Sequence, residues 1–143
     1  MKQNNASVII FRRGHKIACI HRQNTGWYDG YYALPGGKVD PGESFTHAAI
    51  REAKEEVGLN LTTDNLEILL VAHIKGEDGA IWVNVLFEAH DWSGELFNAE
   101  PNKSSELVWQ DIDSLPENTV PNTHVYLKAL AAGKHYVECG WKN

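Results

Sequence analysis

Apolar positions along this chain follow two rhythms. Residues 6–11 (ASVIIF) and 16–21 (KIACIH) are short apolar runs separated by Arg13-Gly14, and they predict two strands joined by a turn. Residues 66–74 and 80–89 are again strand-like, with Gly76-Glu77-Asp78-Gly79 as the turn between them. Residues 106–110 predict one more short strand. Between Ser44 and Gly58 the period becomes helical. At about 100° per residue, Phe45, Ala49, Ile50, Ala53 and Val57 share one wide apolar sector, and His47 and Lys54 lie opposite. Ser44 is a good N-cap and Gly58 a good C-terminal stop, so one helix of about four turns is expected between them. Residues 122–132 predict a second helix, stopped by Gly133. Residues 23–40, rich in Gly and aromatics, predict a loop. Strands before, between and after two helices predict a mixed α/β sandwich.

At 143 residues the chain is expected to form a single domain, 1–143, long enough for a core. Apolar residues at 43% and charged residues at 22% are ordinary for a globular protein. The net charge of −6 argues against a nucleic-acid polymer as partner, since such proteins carry a basic face. A nucleotide remains open, because a metal neutralises phosphates locally. The first ten residues hold too short an apolar run for a signal peptide or membrane span, so no membrane partner is expected and the cytoplasm is the expected location. Cys19 and Cys139 show no metal-ligand spacing and are read as a reduced pair. The sequence leaves the oligomeric state open, a homodimer included.

Three carboxylates on the first helix change this picture. Glu52, Glu55 and Glu56 stand three and four residues apart, on one face. Like charges at that spacing weaken a helix by roughly a few tenths of a kcal/mol per pair. A divalent cation between them offsets that cost, and magnesium prefers a few carboxylates with substrate phosphates completing its shell. Glu52 and Glu56 also border the apolar sector, where a plain surface helix would not put its acids. Spacing alone still allows a solvated acidic face.

The wider pattern is more specific. Gly37, five residues, Glu43, seven residues, then Arg51-Glu52-Ala53-Lys54-Glu55-Glu56-Val57-Gly58-Leu59 resembles the Nudix box of the Nudix hydrolase family, with nine positions agreeing over 23 residues. Ala53 stands where a bulkier aliphatic is commoner, and suits a buried face. Leu34-Pro35-Gly36-Gly37 is similar to the family's lead into the box. The two N-terminal strands, Asn98 to Lys103, Trp109 and Leu115-Pro116 are similar to the MutT-like branch, which cleaves nucleoside triphosphates.

The resemblance implies a Nudix α/β/α sandwich with a mixed sheet between helices. It also implies magnesium-dependent hydrolysis of nucleoside diphosphate-X compounds, with manganese as a substitute ion. A triphosphate would give monophosphate and pyrophosphate, which fits nucleotide-pool sanitation. Dinucleotides, ADP-ribose and sugar nucleotides are alternative substrates, and a non-catalytic nucleotide sensor is a further alternative. Metal ligands are expected from Gly36, Gly37, Glu52, Glu55 and Glu56. Glu52 or Glu55 takes the proton from the attacking water, and Glu52 is the assignment made here. Arg51 pairs with Glu43 to hold the loop on the helix. Arg22, ending the second strand, is expected to meet phosphate; the alternative is a solvated strand end. Glu100 or Glu106 could supply a further carboxylate; the alternatives are a solvated loop acid and a strand-edge acid. Asn122 is expected either to read the base or to cap the last helix. Trp27, Tyr28, Tyr31 and Tyr32 either stack a base or pack. The seven scattered histidines are read as structural or surface residues.

Overall fold

The computed structural model describes residues 3–142; Met1, Lys2 and Asn143, at the ends of the expected domain span, lie outside the described residues. Strand β1 (Gln3–Ile10) organises the larger sheet. It pairs in parallel with β7 (Ile81–Ala89), from Gln3 opposite Ile81 to Ile10 opposite Glu88. On its other edge it takes the short β5 (Gly36–Lys38), antiparallel, with Ser7 opposite Gly37. Strand β6 (Leu66–Lys75) pairs antiparallel with β7, and β9 (Tyr136–Cys139) joins β6 in parallel. The order is therefore β5-β1-β7-β6-β9. A second sheet is built on β3 (Lys16–Arg22), which pairs with β8 (Ser104–Asp111) along its length. The tiny strands β2 (Arg12–Arg13) and β4 (Tyr32–Ala33) also pair with β3.

Helices α1 (Phe45–Val57) and α2 (Pro121–Ala131) explain why the central strands read as unbroken apolar runs, because both faces are covered. Ile9, Ala18, Val85 and Phe87 pack with Ala49, Ala53 and Val57 of α1. Their chain neighbours Ile10, Ile17, Cys19 and Leu86 pack with Tyr126 and Ala129 of α2. The result is the expected α/β/α sandwich, with two sheets forming the middle layer. Ala48, Ala49 and Ala53 are fully buried, so α1 lies close against β1 and β5. Truncating Phe87, also buried, would cost about 3–5 kcal/mol.

The ends of α1 follow the sequence. Ser44 accepts a hydrogen bond from the His47 N–H at 3.0 Å, and Gly58 closes the helix in the left-handed region at φ 73°. The expectation of a plain loop over residues 23–40 is corrected: β4 and β5 lie inside it. They hold two and three residues, too few to show a period, and β5 begins Gly-Gly. The expectation that Asn122 caps α2 is corrected as well. Val120 is the N-cap and Pro121 takes the first helical position, where its missing N–H is harmless. Asn122 is thus the second residue of the helix. Strand β9, with only four residues, went unpredicted. Among the described residues, no helix is long and apolar enough to cross a membrane.

Candidate active site

Four carboxylates, three of them on the C-terminal half of α1, line one cleft. Glu52 and Glu56 are buried, at 9% and 8% exposure, while Glu55, one residue before Glu56, is exposed. The helix wheel accounts for this. Glu52 and Glu56 border the stripe that packs on β1 and β5, and Glu55 points away from it. Together with Glu100 they line a cleft of about 390 Å³, whose walls also include Arg22, Gly36, Gly37 and Arg51.

The glycine pair sets how closely backbone and acids approach. The Gly36 N–H donates to Glu56 Oε2 at 2.7 Å. A Cβ on Gly37 would stand 2.5 Å from Glu52 Oε1, so only glycine leaves that carboxylate its position. Gly36 itself, at φ 151°, lies against the backbone of Ser7 and Val8, which fixes β5 on β1.

Arg51 is the hub of the charge network. Its Nε donates to Glu43 Oε2 at 2.8 Å and its Nη2 to Glu43 Oε1 at 3.0 Å, a two-point grip. Nη2 also reaches the Lys38 carbonyl at 3.0 Å. Nη1 donates to Glu52 Oε1 at 2.9 Å and to Glu55 Oε2 at 3.3 Å. One guanidinium therefore joins the loop before α1, strand β5 and two of the helix acids. Arg51 is held charged, first by its hydrogen bonds to Glu43.

Burial dominates the acids deeper in the cleft. It pushes Glu56 well above the usual carboxylate range, and the neighbouring Glu52 adds to this; the Gly36 N–H opposes it. Glu52 is also raised by burial, with Arg51 opposing. Glu100 raises both. Desolvated like charges facing one cleft make a site with a deficit of positive charge, and hard oxygen donors of this kind fit a hard divalent cation. The donor chemistry suits magnesium or manganese, and Glu52, Glu55, Glu56 and a Gly36 or Gly37 carbonyl are the groups that could hold such an ion.

The structure brings most of the sequence-predicted residues together, but not all. Arg22 lines the cleft at the end of β3, half-buried; burial lowers its pKa, and the charges of Glu56 and Asp29 oppose that. Glu100 lines the cleft. Its loop is fastened to the end of α1 by the Phe97 N–H to Val57 O at 3.1 Å and the Ala99 N–H to Glu56 O at 3.1 Å. Gly58 leaves room for the Phe97 ring against that end. Glu106 does not line the cleft and instead accepts from the Tyr32 hydroxyl at 2.7 Å. Asn122 lies outside the cleft lining, half-buried on the first turn of α2. Lys103, Asn24 and Thr25 line the cleft and were not singled out from the sequence. Lys103 stands three residues after Glu100, and Asn24 and Thr25 follow Arg22 closely; proximity to those residues was the available signal. A second acidic group, Glu67, Glu88 and His90, sits apart on β6, β7 and the residue following it, with His90 Nε2 2.8 Å from Glu67 Oε1.

This arrangement can be set beside known proteins. An oxidized purine nucleoside triphosphate hydrolase of Danio rerio is 39% identical over 113 residues, 76% of this chain and 66% of the relative. An ADP-ribose pyrophosphatase of Methanocaldococcus jannaschii is 32% identical over 108 residues, 76% of this chain and 62% of the relative. The chain thus spans about two thirds of the length of these relatives. Among solved structures, a MutT NUDIX hydrolase from Burkholderia pseudomallei superposes with a TM-score of 0.79 at 31% identity, covering 90% of this chain and 98% of that one. The model of the NUDIX domain matches residues 1–130. With the box residues folded into one cleft and the domain model covering nearly all of the sequence, the chain belongs to the Nudix hydrolase family.

Proposed function

We propose that this protein hydrolyses nucleoside triphosphates to nucleoside monophosphates and pyrophosphate, with magnesium, and that manganese can replace it. The observation that carries the reading is the convergence of Glu52, Glu55, Glu56 and Glu100 in one cleft that Arg22 also lines. Acids supply metal ligands and a proton acceptor, and the arginine supplies a counter-charge for phosphate. The Danio rerio relative, by name an oxidized purine nucleoside triphosphate hydrolase, supports a nucleoside triphosphate as substrate. The archaeal relative, by name an ADP-ribose pyrophosphatase, supports ADP-ribose as the second reading.

A bound divalent ion would offset the charge that grows on the bridging and leaving oxygens. The chain's own residues do the rest. Glu52 is the proposed base. Its Oε1 is held by Arg51 at 2.9 Å, and its Oε2 has no protein hydrogen bond among the described residues, leaving that oxygen to accept a proton from water. Arg51 and Glu43 orient it. Arg22 and Asn122 are the proposed substrate contacts, Arg22 on phosphate and Asn122 on the base edge. We further propose a single domain acting in the cytoplasm on a small-molecule nucleotide.

The deciding experiment incubates purified protein with magnesium and a panel of nucleotides, ADP-ribose included, and reads pyrophosphate separately from orthophosphate. Pyrophosphate plus monophosphate from triphosphates is expected. Orthophosphate alone would overturn the cleavage site, and turnover confined to ADP-ribose would establish the second reading.

A further inference from the structure

Residues 97–103 run past the C-terminal end of α1, carry Glu100 to the cleft and lead into β8. Their start is fixed to the helix at three points. The Phe97 N–H donates to the Val57 carbonyl and the Ala99 N–H to the Glu56 carbonyl, each at 3.1 Å. The third point is the Phe97 ring, which lies on Gly58 where a Cβ would run into its Cε1 and Cζ atoms. Gly58 therefore meets two demands. Its φ of 73° ends the helix, a conformation asparagine also adopts at such a stop. Only the lack of a Cβ admits the ring. Phe97 is 56% exposed and belongs to neither of the apolar clusters that hold the sandwich together. A ring left half in water adds little to a core. What it contributes is this one contact with the helix end.

The rest of the segment passes that anchorage on to Glu100. Asn98 Oδ1 accepts from the Glu100 N–H at 3.2 Å, and Asn98 Nδ2 donates to the Ser104 carbonyl at 2.8 Å. The Glu100 carbonyl accepts from the N–H groups of Lys103 and Ser104, both at 3.0 Å. The turn around Glu100 is thus closed on itself and hangs from the anchor three residues upstream. The charge of Glu100 reaches the helix acids, since it raises both Glu52 and Glu56.

Helix geometry fixes Glu52, Glu55 and Glu56 relative to one another, but it does not fix Glu100, which arrives from a separate segment. A set of oxygen donors for one cation needs all its members in register, and the groups that orient a donor matter nearly as much as the donor. We propose that Phe97, seated on Gly58, is a positioning residue that sets Glu100 against Glu52 and Glu56 and so completes the donor set for the divalent ion. The role rests on the metal-binding reading of the cleft given above, and it adds what holds the fourth acid in place. It also gives Gly58 a task beyond ending the helix, because the residue that stops α1 is the seat on which the Glu100 segment is aligned.

Calorimetric titration with manganese chloride, in the absence of substrate, tests this in a double-mutant cycle of wild type, Phe97→Ala, Glu100→Gln and the pair. Phe97→Leu serves as the conservative variant, and melting temperatures are recorded in chelator. Phe97→Ala is expected to weaken manganese about tenfold, with a melting temperature close to that of wild type, and Phe97→Leu to recover most of the affinity. In the Glu100→Gln background Phe97→Ala is expected to weaken manganese no further, because the group it positions is gone. An equal loss in that background would show that the ring acts on the helix and not through Glu100. Unchanged binding in Phe97→Ala would show that the backbone bonds alone place the acid, and unchanged binding in Glu100→Gln would remove that acid from the donor set. Any of the three overturns the proposal. If Phe97→Ala melts far lower, Phe97→Leu carries the same cycle. Manganese binding and pyrophosphate release by the wild type keep the two readings apart: if both persist while the cycle is additive, the positioning role fails and the phosphoanhydride chemistry stands.

Discussion

Arg51 and Glu43 meet through two parallel hydrogen bonds, at 2.8 and 3.0 Å, across the junction between the loop before α1 and the helix itself. The contact holds the Glu43 carboxyl at about 2, against an ordinary 4.5, mainly through the Arg51 hydrogen bonds and secondly through the Asp40 N–H. A carboxyl whose folded value lies below its unfolded one stabilises the fold fully above the unfolded value. That stability is lost as pH falls through the folded value. The Glu43 contribution is therefore present above about pH 4.5 and fades towards pH 2. Urea midpoints of wild type and Glu43→Gln are expected to differ at pH 7 and to converge as pH falls through that window. A gap independent of pH would contradict the ion pair as its source.

Glu56 has the opposite sign. Burial raises its pKa, so its ionised form works against the metal-free fold at neutral pH. Glutamine keeps an oxygen to accept the Gly36 N–H and removes the charge. Glu56→Gln is expected to melt higher than wild type in chelator, to lose the rise in melting temperature that magnesium gives wild type, and to lose turnover by about 100-fold or more. A variant that kept near wild-type turnover at saturating magnesium would remove Glu56 from the metal site. Glu52→Gln is expected to be as severe in turnover.

Gly37→Ala tests the spacing between backbone and acid. The added methyl would meet the Glu52 carboxylate, the movable end of a side chain, so the fold is expected to survive with a similar melting temperature. Turnover is expected to fall by about 100-fold, the scale of a misplacement near 1 Å in a catalytic group. Full activity in this variant would show that the Glu52 carboxylate is free to move without loss.

The first helix, its caps and its acids were legible in the sequence because each left a local mark: a 3.6-residue period, a serine at the start, a glycine at the stop. The box spacing was legible for the same reason, since α1 places Glu52 and Glu56 on one edge whatever surrounds it. Strands β4 and β5 were not, because they are too short for a period and exist only as partners of β3 and β1. Between Glu100 and Glu106 the sequence could not choose. The choice depends on two backbone hydrogen bonds from residues 97 and 99 to the end of α1, and on the Tyr32 hydroxyl, all contacts far apart in the chain. The ambiguity over Trp27 and its neighbours had a similar source: exposure is a property of the folded loop.

Asn122 gives the sharpest test of base choice. Its amide carries both a donor and an acceptor and can meet a base edge at two points. Val120, and not Asn122, occupies the cap of α2, so alanine at 122 removes no cap. The first turn of α2 is tied to the strand leading into the cleft, since the Tyr32 carbonyl accepts from the Val120 N–H at 2.8 Å and the Tyr32 N–H donates to the Asn118 carbonyl at 2.7 Å. Asn122→Ala is therefore expected to leave the melting temperature close to that of wild type, and to change the ratio of kcat/KM between purine and pyrimidine triphosphates by about tenfold, the scale of one two-point contact to a base edge. Measuring the melting temperature and both efficiencies on this one variant separates a base-reading role from a structural one. An unchanged ratio in Asn122→Ala would sink the base-reading role and return Asn122 to the surface of the helix.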